Sequence, residues 1–185
     1  MSTRCFVALL PDAATREALG ALRPRRGTGC TPVEVNDLHV TLQFCAALDD
    51  AGVAAASTAL PALATALPPL APAGFTIWTT SERRAALVLR YRSNDQIRAL
   101  HVALGRLFDN ERTEPPAWCP HVTLARGDPA HLGDSTSCSV KELPSFRGRS
   151  LALIASMAGP AGYAHKVVAS QQLPALGESS HAAPS

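Results

Sequence analysis

Apolar residues in this chain come in short runs set apart by Pro, Gly, Asp and Asn, and the spacing inside the runs shifts between the strand period and the helix period. Residues 4–10 are a first apolar run and a predicted strand, stopped by Pro11 and Asp12; Asp12 can cap a helix reaching about Leu22. A loop rich in Gly, Pro and Arg covers 23–29. Thr31 to Val35, the Asn36-Asp37 turn and Leu38 to Phe44 then predict a short hairpin. Asp49 or Asp50 caps an alanine-rich helix that Pro61 should bend or interrupt and that Pro68, Pro69 and Pro72 end, which makes 68–74 a natural lobe boundary. Phe75 to Trp78 and Ala85 to Tyr91 predict a second hairpin. Ile97, Leu100, Leu104, Leu107 and Phe108 recur at helical spacing between Asn94 and about Asp109.

After Pro115-Pro116 the strand pattern returns at His121 to Arg126, Ser139 to Leu143, Leu151 to Met157 and Tyr163 to Gln171, the last two joined by Gly159-Pro160-Ala161-Gly162. From about Gly177 the tail is polar and small, and disorder is expected. The two halves rhyme: each runs strand, helix, then a strand beginning His-Val-Thr-Leu, and the histidines lie 82 positions apart (121 minus 39). Such self-similarity points to a duplication. The predicted architecture is α+β and bilobal, with pseudo-twofold duplicated antiparallel sheets, outer helices and a central cleft between the two His-x-Thr strands. One domain over 1–176, its lobes exchanging strands, fits that pattern.

Composition narrows the class. With 185 residues, 46% hydrophobic and 17% charged, the chain can bury a core, and a net charge of +2 is too small for a protein that coats duplex nucleic acid. Five scattered cysteines without a C-x-x-C pair suggest neither a disulfide framework nor a zinc site, and fit reduced thiols in the cytoplasm. The N-terminal apolar run is too short for a signal peptide or a membrane span.

Alternation along a strand puts His39, Thr41 and Gln43 on one face and Val40, Leu42 and Phe44 on the other, and the same parity pairs His121 with Thr123. A lone His-Val-Thr usually marks a half-exposed sheet. Two apolar-flanked copies exceed a chance expectation of roughly 0.1 per chain. Two imidazoles suit phosphoryl chemistry, because one can take a proton while the other gives one, and both titrate near neutrality. The threonine hydroxyls can donate to phosphate oxygens. No metal or cofactor is needed.

At Asn36-Asp-Leu-His-Val-Thr-Leu-Gln-Phe44 and Pro120-His-Val-Thr-Leu-Ala-Arg126, and also at Arg4-Cys-Phe-Val-Ala-Leu-Leu-Pro11 and Gly159-Pro-Ala-Gly-Tyr163 with Val167-Val168, the chain resembles the 2H phosphoesterase superfamily, in its RNA 2′,3′-cyclic phosphodiesterase (LigT-like, 2′-5′ RNA ligase-like) branch. The resemblance runs from about residue 4 to 174. It implies hydrolysis of a terminal 2′,3′-cyclic phosphate to a 2′-phosphomonoester, with His39 as proton donor, His121 as proton acceptor, and Thr41, Thr123 and Arg126 binding phosphate. Regular alternation would turn Arg126 away from the cleft, so its contact requires the strand to end or bulge there. The expected partners are RNA 3′ ends or small cyclic nucleotides, bound by a monomer without a membrane. Three other activities stay open: 2′-5′ RNA ligation, cleavage of 2′,5′-oligonucleotides or cyclic nucleotides, and nucleotide or RNA binding without turnover.

Tyr163 and Phe44 are candidate base-stacking residues, although parity assigns Phe44 to the core; Trp118 is similar. Arg23, Arg25 and Arg26 form a basic loop, read first as solvated. His101, His131, His165 and His181 lack partners at catalytic spacing and are assigned to packing or the surface.

Overall fold

The computed structural model describes residues 3–27, 29–81, 84–108, 118–132, 139–159 and 162–176. The predicted Pro115-Pro116 break, Cys138, His181 and the tail from Gly177 lie outside them. Eight strands, β1 (Thr3–Pro11), β2 (Cys30–Pro32), β3 (Val40–Leu48), β4 (Pro72–Ser81), β5 (Arg84–Tyr91), β6 (His121–Gly127), β7 (Gly148–Gly159) and β8 (Gly162–Gln172), form one antiparallel sheet. Its order is β4-β5-β6-β3-β1-β7-β8, with β2 on β6. Four helices accompany it: α1 (Ala13–Ala21), α2 (Asp50–Leu63), α3 (Asp95–Leu107) and the short α4 (Pro129–Leu132). None is long and apolar enough to cross a membrane.

The helices start where their caps dictate. Asp12 accepts from Thr15 N, Asp49 from Gly52 N and Asn94 from Ile97 N, each satisfying an amide that the first turn leaves unbonded. The caps of α1 and α3 are 82 positions apart (94 minus 12), the same offset as the histidines. The duplicated unit is therefore strand, capped helix, His-Val-Thr strand: β1-α1-β3 in one half and β5-α3-β6 in the other. Pro61 lies in the last turn of α2, which ends two residues later.

One sheet face carries the main core, where Val7, Leu9, Val40, Leu42, Leu87, Leu89, Val122 and Leu124 are essentially inaccessible and pack with Leu19, Leu60, Ile97 and Leu104 from the helices. Each such side chain contributes about 1.5–3 kcal/mol by leaving water. The opposite face holds a small cluster of Phe6, Ala8, Ala152 and Ile154.

Three expectations change. The strand after the basic loop shortens to Cys30–Pro32 and pairs with β6 rather than forming a hairpin with β3, while Val35–Asp37 forms a 3-10 turn. Pro32 has no amide to give a ladder, and Val33 N donates to Leu124 O instead (2.9 Å). Ser139 to Leu143 is also a 3-10 turn (Val140–Glu142): Ser139 and Glu142 close a reciprocal capping box there, a local bond set that an isolated strand could not match. Finally, the two His-x-Thr strands lie side by side in one sheet rather than facing each other, and they pair at Val40 and Val122. The two lobes are the halves of the sheet on either side of that pair. Close approach of β2 to β6 depends on Gly127, where a Cβ would fall 1.9 Å from Gly29 O.

Candidate active site

The local twofold axis passes between Val40 and Val122, which are themselves 82 positions apart (122 minus 40), so the two histidines and two threonines are brought to the middle of the sheet from both halves. With both valines buried in the helix-side core, alternation turns His39, Thr41, His121 and Thr123 to the opposite face, where all four are partly exposed.

Each strand then departs from regular pairing at the same place. Val7 pairs with Gln43 and Ala8 with Thr41, leaving Leu42 as an extra residue in β3; Leu87 pairs with Ala125 and Val88 with Thr123, leaving Leu124 as an extra residue in β6. A β-bulge of this kind shifts the parity of everything beyond it. Arg126, five residues after His121, is thereby returned to the histidine face: its neighbour Ala125 is buried, it is exposed, and its positive charge is felt at His39, His121 and His165. Phe44, five residues after His39, is turned out likewise. It is 66% exposed, pairs with Phe6 and tilts against that ring at 5.9 Å, which corrects its assignment to the core. Gln43, expected beside His39, instead pairs with Val7 of the helix-side face.

The bulges leave carbonyls to be satisfied. His101 of α3 donates from Nδ1 to Leu42 O and stacks on Trp118 at 4.4 Å, 8° from parallel. Leu124 O receives Val33 N. His101 is thus a packing residue, as expected, but one that holds the bulge of β3.

The two histidines are oriented by one device used twice. His39 Nδ1 lies 2.7 Å from Asp37 O and His121 Nδ1 lies 2.9 Å from Cys119 O; a carbonyl can only accept, so each Nδ1 carries a hydrogen and each Nε2 is left for chemistry. His39 Nε2 is 3.2 Å from Thr41 Oγ1, whose hydroxyl donates to it when the ring is neutral. Trp78, 37% exposed, lies edge-on to His121 at 4.3 Å, and His39 stacks on Phe6 at 5.0 Å. Burial is the main reason that His39 is pushed down to about 4; its bond to Asp37 O opposes this, and His165, His121 and Arg126 add to it through their charge. His121 is lowered for the same first reason, again against a carbonyl bond and with Arg126 adding. Both imidazoles are therefore mainly neutral at pH 7.

His165, expected in packing or at the surface, instead faces this cleft, 5.7 Å from His39 and 5.2 Å from Phe6 between ring centroids. No sequence signal places it there, because the contact joins side chains from positions three strands apart in the sheet. Tyr163 pairs through its backbone with Ala158, and its side chain lies outside the described residues. Arg23 bonds Gly20 O and Val33 O, and Arg26 pairs with Glu34, so two of the three loop arginines have structural partners. The cysteines 5, 30, 45 and 119 are free thiols, and burial pushes Cys45 up to about 12, which leaves it no nucleophile. Among the described residues no group of three or more His, Cys, Asp or Glu side chains is placed to hold a metal ion.

A site made of two neighbouring His-x-Thr strands in a duplicated antiparallel sheet defines a class, and the sequence falls within it: residues 10–156 match the model of the 2′-5′ RNA ligase superfamily, to which this chain belongs. A search of curated proteins gives no significant match. Among solved structures, Escherichia coli LigT complexed with NADP+ is similar over 94% of this chain and 99% of its own, at 19% identity and a TM-score of 0.64. A crystal structure described as a phosphoesterase (20% identity, 92% and 98% coverage, TM-score 0.60) and the TT0787 protein of Thermus thermophilus (19%, 94% and 99%, 0.59) share the fold as well.

Proposed function

We propose that this protein hydrolyses the 2′,3′-cyclic phosphate at the 3′ end of RNA to a 2′-phosphomonoester, without a metal. The observation that carries the proposal is the twice-repeated arrangement in which a backbone carbonyl fixes Nδ1–H and frees Nε2 of a histidine beside a threonine, with Arg126 turned to the same face. A water oxygen attacks phosphorus while one Nε2 takes its proton; the bond from phosphorus to O3′ breaks, and the other Nε2–H protonates O3′. The hydroxyls of Thr41 and Thr123 and the guanidinium of Arg126 stabilise the charge that builds on the equatorial oxygens.

His39 is proposed as the donor and His121 as the acceptor, on the family resemblance. Burial lowers the proton affinity of both rings. A bound phosphodiester supplies a negative charge beside both rings and raises their proton affinity, so the donor is charged as substrate binds. Nucleotides fit as ligands too: Escherichia coli LigT has been solved with 3′-AMP and with ATP.

The test uses an oligoribonucleotide ending in a 2′,3′-cyclic phosphate, incubated with the protein in excess EDTA, with the product identified by phosphorus NMR. A 2′-phosphate is expected, and separate His39→Ala and His121→Ala variants should fold but be nearly inactive. A 3′-phosphate product, loss of activity on chelation, or full activity of either variant would overturn the proposal. Addition of a second RNA with a free 5′ terminus reads out ligation in the same samples.

A further inference from the structure

We propose that His165 is a third imidazole of the cleft, which donates a hydrogen bond to the substrate's phosphate on the His39 side and takes up a proton as that phosphate binds. The inference rests on the cleft being a phosphate site, as argued above, and adds a residue to it.

The position argues for a ligand. β8 is three strands from β3 in the sheet, a separation of about 14 Å in a flat array, yet the His165 and His39 rings come within 5.7 Å in a T-shaped contact. They meet on the face that carries the small Ala8 and Ala152. The Phe6 ring lies against both, stacked on His39 and edge-on to His165, so three rings far apart in sequence form one wall of the site. Ser156 is the cross-strand neighbour of His165 on β7. Neither ring nitrogen of His165 has a hydrogen-bond partner among the described residues, whereas Nδ1 of His39 and Nδ1 of His101 are each engaged by a backbone carbonyl. A half-buried imidazole with unengaged nitrogens beside a reacting group has hydrogen-bonding capacity left for a ligand.

The charges around it set when that capacity is used. The groups facing His165 are Asp37, on the turn before β3, and Arg126 on β6, with His39, immediately before β3, and the apolar Phe6 on β1 in ring contact. Burial disfavours the imidazolium, Asp37 favours it, Arg126 disfavours it, and the balance lowers its proton affinity. A phosphate group placed between Arg126 and His39 offsets the arginine and reverses the balance. The protonated ring then donates to a phosphate oxygen as a charge-assisted bond.

The proposal is tested on the full chain by titrating a nucleoside 2′-monophosphate, and separately inorganic phosphate, near pH 6.5 in two buffers of different ionisation enthalpy. Wild type should take up a proton on binding. His165→Gln, which keeps a hydrogen-bonding side chain but cannot be protonated, should take up fewer protons than wild type, keeping only the share that goes to the catalytic pair, and bind roughly 10-fold more weakly, with circular dichroism unchanged. Imidazole NMR of wild type gives a second readout that needs no variant: phosphate should shift the His165 ring resonances towards the imidazolium form. Equal proton uptake and affinity in His165→Gln, an unperturbed His165 resonance in bound wild type, or no binding of either probe would each overturn it. Binding with the expected uptake but no hydrolysis of the cyclic phosphate would instead sink the proposed reaction and leave the role of His165 standing.

Discussion

Protonating the buried His39 is costly, and that cost should appear in the stability of the fold. The ring falls from its ordinary 6.5 to about 4 in the native state, with burial as the first cause. At about 1.4 kcal/mol per pH decade, the difference corresponds to on the order of 3 kcal/mol. Because the folded value lies below the unfolded one, the unfolded chain takes the proton first as the solution is acidified. The contribution is therefore fully present above pH 6.5, declines as pH falls towards 4, and is gone below that. His39→Gln keeps a polar side chain at the position but has no proton to accept. Urea unfolding of both proteins at several pH values between 7.5 and 4, without phosphate, isolates the term, since carboxylates and the other histidines titrate in both. Wild type should lose on the order of 3 kcal/mol more than the variant over that span. Parallel stability lines would refute the account, and would mean that His39 is solvated well enough to titrate as in a peptide.

The same electrostatics govern turnover: a working pair holds one proton, both rings titrate below 6.5 in the free protein, so kcat/KM should peak below pH 6.5 and fall above it while the kcat optimum lies higher; a kcat/KM maximum on the alkaline side would contradict this. Arg126→Ala should lower kcat/KM on the order of 100-fold, with Arg126→Lys recovering part of it, because the bulge at Leu124 turns the guanidinium to the reacting face; activity within twofold of wild type would show that the arginine does not reach the phosphate. His101→Phe preserves a ring to stack on Trp118 but removes the donor to Leu42 O. A stability loss of about 1–3 kcal/mol is expected from the orphaned carbonyl, and a urea midpoint equal to wild type would show that water replaces the imidazole.

What can be read in the sequence follows the range of the interactions concerned. The caps Asp12 and Asp49 are signalled by neighbours within a few residues, and they stand where expected; the paired His-Val-Thr runs are legible as a motif in the same way. The resemblance at those runs is matched by the family to which the chain belongs. The partner of β2 is not legible, because alternation says that a segment is extended but not what it pairs with. Simple alternation puts Phe44 and Gln43 on the wrong faces for a related reason: a bulge is a property of two paired strands, and counting along one of them cannot show the extra residue at Leu42. Parity raises the right question about Arg126, and only the pairing of β5 with β6 answers it. His165 depends on a contact between strands that are far apart in sequence and three places apart in the sheet, which no local pattern encodes.

The matched bulges have an evolutionary consequence. Each extra leucine separates a fixed stretch, His-Val-Thr, from the position that re-enters the cleft two residues later, so the second can drift without disturbing the first. In this chain that position is aromatic in one copy, Phe44, and cationic in the other, Arg126. A gene duplication hands the fold two identical reactive strands, which cannot by themselves distinguish one end of a substrate from the other. The positions beyond the bulges differ between the two copies and so give the molecule a handedness that two like His-Val-Thr runs lack.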